Sequence, residues 1–414
     1  MSTVTASKLL TFADARRVVE EYASRLALPG AEMLSLLDSV GLALADDLRA
    51  DRDFPPFPRA TRDGYAVRSH NVATVPATLR CTGEIRAGAS IKQSAIEVSA
   101  GETVEIMTGA PVPAGADAVV MVEYTERSGE FVTVGRPVSA GENVVPAGSE
   151  ARIGDLMVPR GTRVNHAVVA VAAAIGCAEV AAYRRPLVAI LATGDEVVDI
   201  NFTPGPNEIR NSNTYSLAAQ VSAAGGEAML LPIAHDNVDD LQVLLRKGVE
   251  ADLLLMSGGV SMGKYDLVEQ ALEKLGAHFF FTGTLIQPGK PVVFGELRTP
   301  AKTTPFFGLP GNPVSTMVTF QLFVRPVLDA LAGAISQPLP FAKASLTAAL
   351  KTKTGLTRFL PAKLGGTHEE PEVELVRWQG SGDLMAVARS NCYIVVPPDR
   401  EHFDAGEPVT ILLV

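Results

Sequence analysis

The chain has 414 residues, 46 of them Asp or Glu against 36 Lys or Arg, and so carries a net charge of −10 at neutral pH. So acidic a balance excludes a general nucleic-acid binder, which needs a basic footprint to release counterions from a phosphate backbone. A hydrophobic content of 47% with 20% charged residues excludes a disordered chain, and the length implies two to four folding units.

The first residues, MSTVTASKLLTFADARR, lack the apolar core of a signal peptide. Thr11 and Asp14 then stand in capping-box spacing, and Phe12, Ala15, Val19 and Tyr22 recur at helical period, so residues 11 to 26 are predicted to form an amphipathic helix. From Pro55 to about Gly148 short β-rich runs alternate with Gly and Pro, which predicts a small β domain with a hairpin turning at Ser128 and Gly129. Residues 162 to 182 return to an alanine-rich helical pattern, expected to pack against the first helix and so make one module from two separated segments. The longest apolar run, from Ala167, holds Gly176 and Glu179 and falls short of a membrane span.

From Arg185 strands and helices alternate: "PLVAILA", a helix from about Ser212, "AMLLPI", a helix from Val238, "DLLLM", a helix near Tyr265, "PVVFG", "PFFGL" and a helix from Pro313. Near-continuous apolar strands divided by helices predict a doubly wound, mostly parallel sheet covered on both faces. After about Gln337 helices are expected to cease, and "VELVRWQG", "LMAVARS", "NCYIVVPP" and "PVTILLV" read as a compact β domain. The fold expected is a multi-domain α/β chain. Three distant cysteines, Cys81, Cys177 and Cys392, suit a reducing compartment, so the expectation is a cytoplasmic protein without membrane or nucleic-acid partners.

In an open parallel sheet the ligand sits beyond the carboxyl ends of the strands. The residues there are Thr193-Gly194-Asp195-Glu196, His235-Asp236, Ser257-Gly258-Gly259-Val260-Ser261 and Pro310-Gly311-Asn312-Pro313. The glycines let backbone amides approach an anion, and Asn312 with Pro313 starts a helix whose amides are expected to face a phosphate. Glu196, Asp236 and Asp266 at the same rim would repel an anion unless a divalent cation such as Mg²⁺ stood between them. "SGGVSMGKYD" also approaches a P-loop, but Tyr265 stands where a Ser or Thr should hold magnesium, which weighs against a P-loop NTPase.

With "RDGYAV", "IMTGAPVPAGADAVVMVE", "TGDEVV", "NSN", "SGGVSMG", "PGKPVVFG", "GLPGNPVS" and "GSGDL" in this order over nearly the whole length, the chain resembles the MoeA family. These are the molybdopterin molybdenumtransferases, represented also by the E domain of gephyrin. The resemblance implies a discontinuous helical linker (1–53 and 149–183), a β-rich domain (54–148), a molybdopterin-binding-type α/β domain (184–334) and a C-terminal β-barrel-like domain (335–414). It further implies a homodimer with its active site at the subunit interface. There adenylylated molybdopterin would be hydrolysed with molybdate and Mg²⁺, releasing AMP.

On the matching motifs the resemblance makes Asp63, Thr108, Glu196 and Asp236 catalytic and Glu196, Asp236 and Asp266 metal ligands. Gly258, Gly259, Ser261, Pro310, Gly311 and Asn312 would hold the pterin phosphate and adenylate, with Lys290 and Ser381 near the molybdate. The chain departs from the family at Val145, Gln287 and Leu356, where basic residues are usual; either Arg62 and Arg358, the latter two residues after Leu356, offset the loss, or the chain handles its anion differently or less well. An alternative implied function is a pterin-binding paralogue or scaffold with weak catalysis.

Overall fold

The computed structural model describes residues 9–88, 96–259, 267–300 and 302–414. The first helix, α1 (Phe12–Ala23), begins where expected: Thr11 is its N-cap and accepts a hydrogen bond from the Asp14 amide. Ala15, Val19 and Ala23, spaced by fours, form one buried face. That face does not meet the second helix. It joins the core of the α/β domain, with Val188, Ile190, Phe281, Phe294 and Phe323.

The predicted helix over 162–182 is shorter than its composition suggested. It runs only over α2 (His166–Ala174), capped by Asn165, and packs into a separate core with Leu44, Leu48, Val158 and Val180. Gly176 then takes a left-handed φ of +79°, and Glu179–Tyr183 continues as a strand paired antiparallel with Ala31–Ser35. Ladder pairing overrides alanine's helical preference here, because a strand already waits for the segment. The two halves of this module are thus joined by strands, Ala31–Ser35 with Glu179–Tyr183 and Leu48–Arg49 with Leu156–Val158, and by α2 on Leu44 and Leu48, rather than by packing of α2 against α1.

The β-rich domain is a six-stranded sheet in the order Ala118–Met121, Gly64–Val67, Glu102–Ile106, Ala77–Ile85, Phe131–Val134, Thr125–Ser128. Its hairpin turns one residue later than predicted, at Gly129 and Glu130, because Ser128 still pairs with Phe131. Gly64 is required where it stands: a Cβ there would lie 1.9 Å from the Val120 carbonyl oxygen.

The α/β domain has a six-stranded sheet ordered Glu227–Leu230, Leu187–Ala192, Leu253–Ser257, Thr303–Leu309, Val293–Arg298, His278–Phe281. The first four strands are parallel; Val293–Arg298 runs against them and pairs antiparallel on both sides, so the edge strand His278–Phe281 again runs with the first four. Val188 and Ile190 face one core, while Ala189 and Leu191 face the other. The first is covered by α3 (Ser212–Ala223) and the long helix after Pro313, the second by α4 (Val238–Gly248) and α5 (Leu267–Lys274). The doubly wound arrangement read from the sequence is therefore the one formed.

After α6 (Pro313–Thr319) the helix widens into a π turn over Phe320–Val324 and resumes as α7 (Arg325–Leu331). Pro326 has no amide to donate, which accounts for the altered hydrogen-bond step. Pro313–Leu331 is the one helical run among the described residues long and apolar enough to cross a membrane, and 72% of it is buried inside the protein.

The C-terminal domain closes five strands into a barrel, Thr357–Gly366, Pro371–Leu375, Phe341–Leu346, Pro408–Leu413 and Cys392–Val396, the last returning to the first. One segment read as strand is a helix, α8 (Leu384–Ala388): Asp383 caps it by accepting from the Ala386 amide, and Leu, Met and Ala are good helix formers.

Asp329, 5% exposed on α7, couples two modules: one of its oxygens accepts from Arg163 at 2.6 Å and from Arg325 at 2.9 Å. Arg163 also donates to the Gly41 carbonyl. Asp329→Ala is expected to cost about 2–3 kcal/mol in chemical denaturation, by leaving two guanidinium groups partly buried without their acceptor. A loss under about 0.5 kcal/mol would show the joint to be a surface pair of no consequence.

Candidate active site

The strand ends meet as the topology requires. Thr193, Gly194, Glu196, Asp236, Gly258, Gly259, Pro310, Gly311 and Asn312 line one cleft of about 480 Å³. A smaller hollow of about 80 Å³ adjoins it, sharing Thr193, Glu196, Gly258 and Gly311 and adding Arg210, Ser212, Asn213 and Ser257. Gly258, at φ +94°, and Gly259, at φ +66°, adopt backbone conformations that favour glycine. A Cβ on Gly258 would lie 2.6 Å from the Thr193 carbonyl oxygen, and one on Gly259 2.5 Å from the Val268 side chain.

The acidic rim is real at two of its three expected members. Desolvation first, then the like charges of Asp195 and Glu196, push the Asp236 carboxyl above its ordinary value. The Asp236 amide donates to Asp195 at 3.1 Å, and the His235 ring nitrogen lies 3.3 Å from the same oxygen. A cation would relieve this crowding, and Glu196 and Asp236 are hard oxygen donors suited to Mg²⁺. Among the described residues, however, no three His, Cys, Asp or Glu side chains gather closely enough to hold a metal ion by themselves. The expected third ligand, Asp266, lies outside the described residues, as does Ser261.

The helix start differs from expectation. Asn312 is the N-cap residue of α6 and Pro313 follows it, but the Asn312 side chain makes no capping hydrogen bond. The Val314 amide is not free for a phosphate, because it donates to the Ser381 carbonyl at 3.0 Å. Ser381 thus enters through its backbone, bringing the GSGDL loop of the barrel against α6. Lys290 is exposed one residue before Pro291, which lines the cleft, and its own carbonyl accepts from the Thr284 amide.

Asp63 and Thr108 form a second constellation, in the β-rich domain. Gly64 and Ile106 are partners in the antiparallel ladder, so the residues just outside each strand emerge at the same end. The Thr108 amide and hydroxyl both donate to one Asp63 oxygen at 2.7 Å. These two bonds, the amide's first, hold the Asp63 carboxyl below its ordinary value. Neither residue is among those lining the strand-end cleft.

Of the basic residues expected to offset lost charge, Arg358 does not serve. It is 8% exposed, and its guanidinium donates to the Lys353 carbonyl at 2.9 and 3.1 Å. Arg62 is exposed, with a bond at 3.4 Å to the Thr61 carbonyl. Val145 lies directly across the ladder from Arg59, which pairs with Glu150 at 2.8 Å.

Two residues of the site were given no role from the sequence. Thr193 is 3% exposed and borders both hollows, and among the described residues its hydroxyl has no hydrogen-bond partner. Asn213 donates through one nitrogen to the Ser257 hydroxyl at 2.8 Å and to the Gly311 carbonyl at 2.7 Å. Both sit in short motifs visible in the sequence, "TGDE" and "NSN", but a hydrogen bond across 98 residues has no local signature.

Three family patterns span most of the chain: "MoeA N-terminal region (domain I and II)" over residues 10–176, "Probable molybdopterin binding domain" over 189–330, and "MoeA C-terminal region (domain IV)" over 343–414. The molybdopterin molybdenumtransferase of Nostoc sp. is 34% identical over 401 residues, covering 92% of this chain and 88% of its own. That of Bacillus subtilis is 32% identical over 392 residues, covering 92% and 90%. Among solved structures, the molybdopterin biosynthesis MoeA protein of Pyrococcus horikoshii OT3 superposes with a TM-score of 0.79 at 28% identity, covering 98% of this chain and 100% of that one. Similarity thus extends over all the units described above, including the strand-end cleft and the Asp63–Thr108 pair, and the chain belongs to the MoeA family, whose curated members are molybdopterin molybdenumtransferases.

Proposed function

We propose that this chain is itself a molybdopterin molybdenumtransferase, which takes adenylylated molybdopterin and molybdate and yields molybdenum cofactor and AMP. The observation that carries the reading is the strand-end cleft, where the glycine turns at Gly258 and Gly311 adjoin Glu196 and Asp236. Glycine turns let backbone amides reach phosphate oxygens, and paired carboxylates are of use beside an anion only when a cation joins them. Glu196 and Asp236 would hold Mg²⁺, which when bound neutralises the phosphate oxygens. Gly258, Gly259 and Gly311 would cradle the phosphates, Thr193 would supply a hydroxyl, and Lys290 at the rim would attract molybdate as a point charge.

Asp63 is separate from this cleft within one chain. We therefore place it in the reaction from a second subunit, as a carboxylate that orients the attacking oxygen when the β-rich domain of one protomer covers the cleft of another. Three cysteines, none in a disulfide, suit a reducing compartment, and we place the reaction in the cytoplasm.

The test is AMP release from adenylylated molybdopterin by purified protein, with and without molybdate and Mg²⁺, alongside its mass in solution. Release that needs both, from a dimer, is the expected result. The commitment of Arg358 to the Lys353 carbonyl favours a second reading, a pterin-binding relative with weak turnover. Tight nucleotide binding without release would establish that one instead.

Thr108→Val refines the role of Asp63. It removes the hydroxyl donor and keeps the amide donor, so the Asp63 pKa rises toward its ordinary value. Because Asp63 is proposed to act ionised, the acid limb of the pH profile of kcat/KM should move to higher pH. An unmoved limb would exclude Asp63 as the group that titrates there.

A further inference from the structure

We infer that Asn213 is a positioning residue: its amide clamps the two glycine loops of the cleft together and so sets how tightly the cleft holds a phosphate-bearing ligand. The inference rests on the function proposed above for what that ligand is, but its geometry does not. The amide nitrogen carries two hydrogens, enough to bond the Ser257 hydroxyl and the Gly311 carbonyl at once. Ser257 ends a central strand and is 3% exposed, while Gly311 belongs to the turn before α6. These turns lie in contact, since a Cβ on Gly311 would be 3.6 Å from Gly258 Cα.

The clamp is mounted on a rigid element. Asn213 lies in the first turn of α3, whose N-cap Asn211 accepts from the Thr214 amide and donates its own amide to the Val198 carbonyl. Leu217 and Val221 of that helix are wholly buried in the core. One side chain therefore references two anion-facing loops to a third, fixed element. A ligand spanning both loops gains affinity when their spacing is preset and loses it when they drift.

The experiment compares full-length wild type with Asn213→Asp and Asn213→Ala. Asp keeps the size of Asn but turns an oxygen toward the Gly311 carbonyl, whereas Ala removes both donors without repulsion. Amide hydrogen exchange, measured without ligand, should quicken in peptides covering 257–259 and 309–316 in both variants, with an unchanged thermal midpoint. KM for adenylylated molybdopterin should rise about 10-fold while kcat falls less than about threefold.

Wild-type exchange and KM in Asn213→Asp would overturn the inference, since packing rather than donation would then suffice. Faster exchange throughout the α/β domain with a lowered midpoint and unchanged KM would also overturn it, by making Asn213 merely structural. If wild type neither binds nor converts the nucleotide, the proposed function fails. Local quickening of exchange would still support the clamp in that case, and its absence would reject both.

Discussion

Asp63→Asn is expected to lower molybdate-dependent AMP release by about 10²- to 10⁴-fold, the range for removing a positioned acid–base group, while nucleotide affinity stays near that of wild type. The substitution keeps size and shape and removes the charge. The carboxylate has no buried structural role to confuse the result: it is exposed, and among the described residues its hydrogen bonds come from Thr108. Its backbone carbonyl accepts from the Val122 amide, a bond the substitution leaves intact. The sheet should therefore fold as before. Equal loss of binding and turnover would mean that Asp63 holds the ligand rather than acting on it. Retained turnover would remove Asp63 from the mechanism altogether.

The largest effect on stability is expected at Phe294. Its ring is fully buried, stacked on Phe307 at 4.5 Å between centroids, and lies 5.0 Å from Phe280, 5.2 Å from Tyr22 and 5.8 Å from Phe281. Phe294→Ala should cost about 3–5 kcal/mol in chemical denaturation, the loss of transfer free energy plus the cavity left behind. Because Tyr22 belongs to α1, the change should also loosen the docking of the first helix, visible as faster amide exchange over Phe12–Ala23. Phe294→Leu, which refills most of the volume, should recover most of the loss. A cost below about 1 kcal/mol for Phe294→Ala would mean that this aromatic cluster can collapse around the gap and does not fasten α1.

Much of this architecture was legible because buried parallel strands leave an unambiguous trace. "LVAILA" and "DLLLM" are apolar on both faces, and the doubly wound sheet buries Val188 and Ile190 on one side and Ala189 and Leu191 on the other. The antiparallel edge His278–Phe281 was not read, since four residues carry too little periodicity to separate strand from turn. The same shortness hid α8, where the brief apolar run of "LMAVARS" reads as strand but begins at a capping Asp383. Residues 162–182 erred in the other direction, because alanine favours helix until a ladder partner is supplied from a distant segment.

Which residues stand at the carboxyl ends of the strands was readable from residue order, because strand, turn and helix each leave their own periodicity. Gly258, Gly259, Glu196, Asp236 and Gly311 could be named for the cleft on that ground, and the structure brings them together. The folded chain then assigned the bonding partners. It engaged the Val314 amide with the Ser381 carbonyl, buried the Arg358 guanidinium on the Lys353 carbonyl, and joined Ser257 to Gly311 through Asn213. Apart from the bond between Arg358 and Lys353, five residues apart, these join segments 44 to 98 residues apart, so they depend on the relative placement of packed elements, which no short window of sequence records.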